Sequence, residues 1–547
     1  MGCSEVLMLL LSLLSLTSCL STVQNNDDIA LAGMDIRLTI LHTSDIHSRL
    51  IPYYFEPSFT DAALGLNPDN GPFGGIAKIS SILKEQRSKA GRVLHVDSGD
   101  SFQGAIIFNE FDGEAEMRLL SEIGLNAAVL ANHEFDNGAR NLALQYGVEG
   151  QFSLLAANYD FETWDLPWAT ELEKMVMPSQ IYDLDGLRVG VMGLANFSSL
   201  NSIYDESNSM GVIPLEPGDV IPAEAAKLRA QGADLVIVVS HMGLDDDQEQ
   251  ALQMADIDIF MGGHHHVAID PPLVITNEET GKRIPVVHSG AFAKFVGRLD
   301  AVVRMEEDGA QVLSHDYTLF PVDNTVPEDP LVVDIVEEYS EELDVKFNTE
   351  QVLAYANEKL TRYGSDGGDS MLGNFAAEAM RFYPGVETEI ALTNTLGIRA
   401  DIPPGDITID DLYNSMPFDN TITTMFLSGR EVQELLDYVS SRSTERGCSS
   451  QAQIAGMTFD MVCDPDNARA ENIVINNVPM DPNGTYELAT NNYIANGGSG
   501  FEVLERNTTQ SDTGISIRDV VKAAFIKHGE LPQENICVED NRINTIY

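Results

Sequence analysis

Seven short apolar or β-branched runs constrain this chain more than any other feature of it. They are Arg37–Leu41, Val93–Val96, Ala127–Leu130, Leu154–Ala157, Val189–Met192, Leu235–Val239 and Ile257–Met261. Segments with helical spacing lie between many of them, such as Ile76–Lys89 and Ala223–Gln231. Strands that are apolar throughout are covered on both faces, so this alternation predicts an α/β layered fold with buried strands. Asp45 follows the first run, Asp100 the second, Asn132 the third, His241 the sixth and His264 the seventh. Ligands of α/β sheets bind beyond the carboxyl ends of the strands. Five polar segments gathered there predict a single site.

A chain of 547 residues exceeds what one hydrophobic core serves, so two domains are expected. Pro327, Pro330 and several acids precede a helical run, Leu331–Phe347, in which Val332, Val336, Tyr339 and Leu343 share one face. The expected division is a first domain over 36–325, a linker helix within 326–351 and a second domain over 352–547. The 32 basic against 85 acidic side chains give a net charge of -53. Such a surface repels polynucleotides, so a polynucleotide-binding role is not expected.

The side chains at the strand ends are donors for a hard or borderline divalent cation: carboxylate, imidazole and amide oxygen. Two such cations about 3.5–4 Å apart can clamp a phosphoryl group and activate a water. They need a bridging carboxylate, and Asp100, after the turn-forming Gly99, is the best candidate. Asp45 and His47 stand at i and i+2, a spacing that can aim both at one ion. His264 and His266 repeat it after Gly262-Gly263. Singly, each residue has an ordinary explanation, since a histidine after a strand is usually a surface or capping group. Jointly they do not: of the 11 histidines, His47, His133, His241, His264 and His266 all fall in segments that also hold Asp45, Asp100 and Asn132. His42 and His95 lie within strand candidates and are expected to be packed. His265 is expected to be a spacer facing the other way.

Asp45-x-His47, Gly99-Asp100, Asn132-His133-Glu134 and Gly263-His264-x-His266 resemble the motifs of the calcineurin-like metallophosphoesterases. More narrowly, the chain from about residue 36 to its C-terminus is similar to the 5′-nucleotidase family. The resemblance implies a four-layer β-sandwich flanked by helices, followed by a separate α/β substrate-binding domain. It also implies two divalent ions, zinc, manganese or similar. Asp45, His47, Asp100 and His266 would hold one; Asp100, Asn132, His241 and His264 would hold the other. The family often has Asn or Gln where His266 stands, and imidazole is also a sound ligand there. His133 would be catalytic, paired with Asp136, which would set its tautomer and favour its imidazolium. Glu134 and Phe135 are expected only to shape the turn. The implied activity is hydrolysis of phosphate esters outside the cytoplasm, with 5′-nucleotides as leading substrates. A 2′,3′-cyclic nucleotide phosphodiesterase or a UDP-sugar hydrolase is the alternative on the same scaffold. A non-catalytic surface lipoprotein that binds a nucleotide or metal is the rival of another class.

In the second half, Asn394-Thr395-Leu396-Gly397-Ile398-Arg399, Met416-Pro417-Phe418 and Tyr493–Phe501 resemble the family's substrate-binding segments. The implied contacts are Asn394, Arg399 on a phosphate, and Phe418 with Tyr493 stacking on a base. Two departures stand out. The family has an Arg shortly before the segment Leu372-Gly373-Asn374, whereas Ser365–Met371 has none and Arg362 is the nearest. Ser499 stands where the family has a ribose-binding Asp.

Val6–Leu16 is apolar, of signal-peptide length and too short to span a bilayer. Leu16-Thr17-Ser18-Cys19 resembles the lipobox of bacterial lipoproteins, although residues 1–18 contain no Lys or Arg. It implies a signal over 1–18, a lipid on Cys19 as the sole membrane contact, and export to the bacterial cell envelope. In an exported chain Cys448 and Cys463 are disulfide candidates. Closing a loop of that length would contribute roughly 3 kcal/mol. Cys537 is then left unpaired, or replaces one of the two partners.

Overall fold

A computed structural model describes residues 31, 33–161, 167–197, 211–306 and 309–547. The expected signal segment and Cys19 lie outside the described residues. Every predicted run forms a strand, with its ends shifted by a residue or two. They divide between two sheets. The first has the order Gly309–Pro321, Phe295–Glu306, Asp35–Thr43, Val93–Asp97, Ala127–Val129, Ser153–Leu155 and Val176–Met177. The second has the order Leu273–Thr276, Arg283–His288, Ile259–Gly262, Leu235–Ser240, Leu187–Leu194 and Ser179–Leu184. Both are parallel through the predicted strands; the first is antiparallel at one edge and the second at both.

Strand period decides which side chain faces which layer. Val189, Val191, Ile237, Val239 and Met261 join the core between the sheets. Their neighbours Met192, Val236, Val238 and Phe260 point the other way and pack with Ile221, Ala225 and Leu228 of the helix Pro217–Ala230. With helices outside each sheet, the result is a four-layer sandwich. The antiparallel strands Phe295–Glu306 and Gly309–Pro321 do not read as continuous apolar runs, because the first alternates buried with more exposed positions and the second buries only Tyr317 and Leu319.

The second half carries sheets of its own. A five-stranded sheet orders Ala452–Ala455, Ile390–Asn394, Thr485–Asn491, Thr421–Ser428 and Ser511–Ser516. It rests on a separate core that includes Ile390, Leu392, Leu435, Leu436, Ile454 and Leu488. The segment between the halves forms the helix Pro330–Phe347, and the face predicted for it, Val332, Val336, Tyr339 and Leu343, is buried in a core that runs from the first half into residues such as Leu353 and Leu412 of the second. Tyr339 donates to Glu114 Oε1 at 3.1 Å, and Arg118 pairs with Glu338 at 3.1 Å.

Asp329 caps that helix. Its carboxylate accepts from Leu331 N at 3.3 Å, from Ser80 Oγ at 2.5 Å and from Lys84 Nζ. Burial works to raise its pKa, but the hydrogen bonds from Lys84 and Ser80 outweigh it and hold the carboxyl below 3.8. A depressed carboxyl stabilises the fold above its unfolded pKa and loses that contribution as pH falls through its folded pKa. Asp329→Ala is therefore expected to cost about 1–2 kcal/mol at neutral pH by denaturant melting, and much less below the folded pKa. An equal loss at both pH values would refute the cap.

The expected disulfide is not formed: Cys448 and Cys463 are both free thiols. They are nonetheless in contact. Burial and a hydrogen bond with Cys448 push the Cys463 thiol up to about 11. Spacing in sequence brought the pair together but did not decide its oxidation. Among the described residues, no helix is long and apolar enough to cross a membrane.

Candidate functional site

The strand-end segments converge at the carboxyl edge of both sheets. Asp45, His47, Asp100 and His266 form one group of donor atoms, and Asp100, His241 and His264 form a second that shares Asp100. Within the first, His47 Nε2 lies 3.0 Å from His266 Nε2 and 3.8 Å from Asp100 Oδ2, and His266 Nε2 lies 3.4 Å from Asp45 Oδ1. Within the second, His241 Nε2 lies 2.9 Å from Asp100 Oδ2. Asn132 joins them: its Oδ1 is buried with no hydrogen-bond partner. A buried amide oxygen left unanswered costs free energy unless something in the site satisfies it.

The backbone is bent to make this happen. Asp45, His47, Asp100, His264 and His266 all have φ between 49° and 76°, in the left-handed region that side chains ordinarily avoid. Strain of this kind persists where surrounding structure over-determines it. Gly99 must be glycine, since a Cβ would stand 2.6 Å from Ala131 Cβ and 2.8 Å from Val129 O. At Gly263 a Cβ would stand 2.6 Å from Ser44 Oγ and 2.9 Å from Asp45 Oδ2.

Hydrogen bonds set which atom each donor presents. His47 Nδ1 donates to Gln103 O at 2.8 Å and His241 Nδ1 to Ser98 O at 2.5 Å, so both present Nε2 to the site. Asp45 accepts from Ser44 Oγ and from His264 N at 3.1 Å. Burial holds His47, His264 and His266 well below 6.5, which keeps them neutral. Burial, with Asp100 adding to it, pushes Asp45 up to about 7. Burial opposes charge on His241 as well, but Asp100 and Asp45 raise it to about 10. Three neutral imidazoles, two deeply buried carboxylates and an unanswered amide oxygen at one cavity suit divalent cations, whose positive charge would also displace the proton that the carboxylates hold on His241.

His133 stands beside these groups, its ring centroid 5.1 Å from that of His47. Its Nδ1 donates to Asp136 Oδ2 at 2.8 Å. Burial disfavours its charged form, yet Asp136 and Asp100 more than compensate, and its pKa is raised above 6.5. His42 is fully buried between Ser98 Oγ at 2.9 Å and Tyr317 OH at 3.2 Å, and His95 bonds Thr43 Oγ1 at 3.1 Å. Both are packed as expected. His265 turns away to accept from Leu244 N at 3.1 Å.

Glu134 has a larger part than turn shaping. Its buried carboxylate accepts from Ser101 N at 2.7 Å, Ala131 N at 3.0 Å and Asp100 N at 3.2 Å, which ties the segment bearing Asn132 to the one bearing Asp100. Phe292 had no sequence signal at all. It stacks on His47 at 5.3 Å and packs edge-on to His266 at 4.8 Å.

The second half closes over this edge. Asn109 Nδ2 donates to Pro417 O at 2.9 Å, Arg49 bonds Asn414, and Lys359 pairs with Glu56 at 3.0 Å. Arg399 Nη2 comes within 3.5 Å of His47 Nε2. A cavity of about 910 Å³ lies between the halves, lined by Asp100, His133, Arg399, Phe418, Asn394 and Tyr493 among others. Arg362, flagged by sequence only as the nearest arginine, also lines it and donates to Arg399 O at 2.6 Å. Ser499 Oγ is 3.0 Å from Tyr493 OH.

Residues 38–268 match the calcineurin-like phosphoesterase family, and residues 348–506 match the 5′-nucleotidase C-terminal domain. A 5′-nucleotidase of Diplobatis ommata is 27% identical over 90% of this chain and 87% of its own. A trifunctional nucleotide phosphoesterase of Bacillus subtilis is 27% identical over 87% of this chain and 33% of its own. Among solved structures, a 5′-nucleotidase precursor from Thermus thermophilus superposes with a TM-score of 0.83 at 27% identity, covering 93% of this chain and 99% of that one.

Proposed function

From its membership of the 5′-nucleotidase family, a calcineurin-like phosphoesterase domain joined to a 5′-nucleotidase C-terminal domain that together make it a phosphoric ester hydrolase, we propose that this chain hydrolyses 5′-nucleotides to nucleosides and phosphate. The observation that carries the proposal is the carboxylate of Asp100, common to both donor groups, with the His133–Asp136 pair beside it.

Asp45, His47, Asp100 and His266 would hold one divalent cation, and Asp100, Asn132, His241 and His264 a second, zinc, manganese or similar. When bound, such a pair lowers the pKa of water and offsets phosphoryl charge. The rest falls to the chain. Asp136 fixes His133 with its proton on Nδ1 and favours the imidazolium, whose Nε2–H donates to a phosphoryl oxygen or to the leaving oxygen. Arg399 donates to the phosphoryl group beside His47. Phe418 and Tyr493 flank the base, and Asn394 lines the same wall. The reading assigns the phosphoesterase domain to 36–325, the linker to 326–351 and the substrate-binding domain to 352–547. It places the enzyme outside the cytoplasm, with a signal over 1–18 and a lipid on Cys19.

The test is turnover of AMP, UDP-glucose, a 2′,3′-cyclic nucleotide and an aryl phosphate, read by chromatography of all products, with and without a chelator. The cyclic nucleotide is included because a diesterase is the alternative on the same scaffold. AMP is expected to lead, and chelation to abolish all turnover until zinc or manganese is restored. Chelator-resistant turnover, or turnover of the aryl ester alone, would overturn the proposal.

A further inference from the structure

The charge of this chain makes one feature of the cavity unexpected. Against 85 acidic side chains there are only 32 basic ones, yet four guanidinium groups, Arg362, Arg399, Arg442 and Arg446, line a single cavity. None of the four makes an ion pair with a carboxylate among the described residues. Acids are at hand: Asp419 also lines the cavity but is paired with Arg518 at 2.6 Å, and Glu445 neighbours Arg446 in sequence without pairing to it. Gathering unpaired like charges is unfavourable unless an anion answers them.

The four fall into two pairs. Arg399 and Arg362 belong to the His47 end, joined by the hydrogen bond from Arg362 to Arg399 O. Arg442 and Arg446 belong to the end of the helix Gly429–Thr444 and the turn after it. Arg442 Nη1 lies 3.4 Å from Tyr438 OH, which donates to Ser499 O at 2.5 Å. This second pair therefore adjoins Ser499 and Tyr493, the wall assigned to the non-reacting half of a substrate. Burial and the neighbouring Arg442 hold the Arg446 guanidinium below its usual range, so the two repel one another. A phosphoryl group at Asp100 is served by Arg399 and leaves Arg442 and Arg446 unanswered.

We infer that Arg442 and Arg446 form a second anion subsite, which takes a phosphate carried on the non-reacting half of the substrate. The inference rests on the phosphoesterase reading above and narrows its substrate class to esters with a second, remote phosphate. The second phosphate could sit on the sugar, as in a nucleoside 3′,5′-bisphosphate, or be chained to the reacting one, as in a nucleoside diphosphate. The place of Arg442 beside Ser499, across Tyr438, fits the remote placement.

The experiment compares kcat/KM for AMP, adenosine 3′,5′-bisphosphate and ADP, and for glucose 1-phosphate against glucose 1,6-bisphosphate. The wild type and an Arg442→Gln/Arg446→Gln double variant are assayed at low and high salt. The remote bisphosphate is expected to exceed its monophosphate counterpart tenfold or more in the wild type. In the double variant that ratio is expected to fall toward one, and in the wild type to shrink with salt. The ADP-to-AMP ratio is expected to be the same in both proteins. A ratio near one in the wild type for both substrate pairs, a bisphosphate ratio unmoved by the double variant, or a gain confined to ADP would each overturn the subsite. If the sugar pair responds and neither adenosine ester is turned over, the subsite stands and the nucleotide reading falls.

Discussion

Asp100→Ala is expected to lower the metal content of the purified chain from two cations to fewer than one, and turnover by at least about a thousandfold. The reason is geometric. Asp100 is the one carboxylate common to both donor groups, so its loss leaves each with only neutral imidazoles, the Asn132 amide and, on one side, Asp45. Two cations about 3.5–4 Å apart repel strongly without a shared anion. Even a residue that only orients a ligand typically costs 10- to 100-fold in affinity or activity, so a shared ligand should cost more. Asp100 also accepts from His133 N at 2.9 Å and sits against His241 at 2.9 Å. Asp100→Asn, which keeps that shape without the charge, is therefore the control for a folding defect. Elemental analysis beside a thermal melt decides the matter, and a variant that still holds two cations would remove Asp100 from the bridging role.

His133→Ala should behave in the opposite way, keeping its cations while kcat falls by about 10²- to 10⁴-fold, the usual scale for a positioned general acid. His133 lies outside both donor groups, and its Nδ1 is committed to Asp136 at 2.8 Å. The pH dependence has a definite sign. Asp136 and Asp100 raise the pKa of His133 against the pull of burial, so its imidazolium persists above 6.5. Removing the Asp136 charge takes away part of that support. Asp136→Asn should therefore move the alkaline limb of kcat to lower pH, with a smaller loss of rate at the acid end. Comparable turnover in His133→Ala, or a limb that moves to higher pH in Asp136→Asn, would exclude His133 as the acid.

The ligand candidates were legible because each sits a few residues beyond a strand. Asp45-x-His47 and His264-x-His266 are local patterns, and a strand that is apolar throughout can be recognised without its partners. The acceptor role of Glu134 is not legible locally, because it crosses between two strand-end segments, from Ala131 to Ser101. Phe292 carried no signal, since a lone aromatic near a small-residue turn reads as ordinary core. The edge strands Phe295–Glu306 and Gly309–Pro321 give a weaker signal than a continuous apolar run, since much of each faces solvent. Cys448 and Cys463 were paired in space as spacing suggested, yet remain thiols.

What the amino-acid sequence determined by itself was the alternation of strands and helices, the donor types and their places at strand ends, and the face of the helix between the halves. All of these follow from spacings of two to four residues, which backbone geometry converts directly into direction. Only the tertiary structure drew the donors into two groups that share Asp100, which strand-end position and family resemblance could only suggest, and brought Arg399 back to His47 from the other half of the chain. The arginine pair at the far end of the cavity belongs with these. Such juxtapositions join residues hundreds of positions apart, and no local spacing encodes them. They follow from how two cores pack against each other, which is settled by the whole buried surface at once.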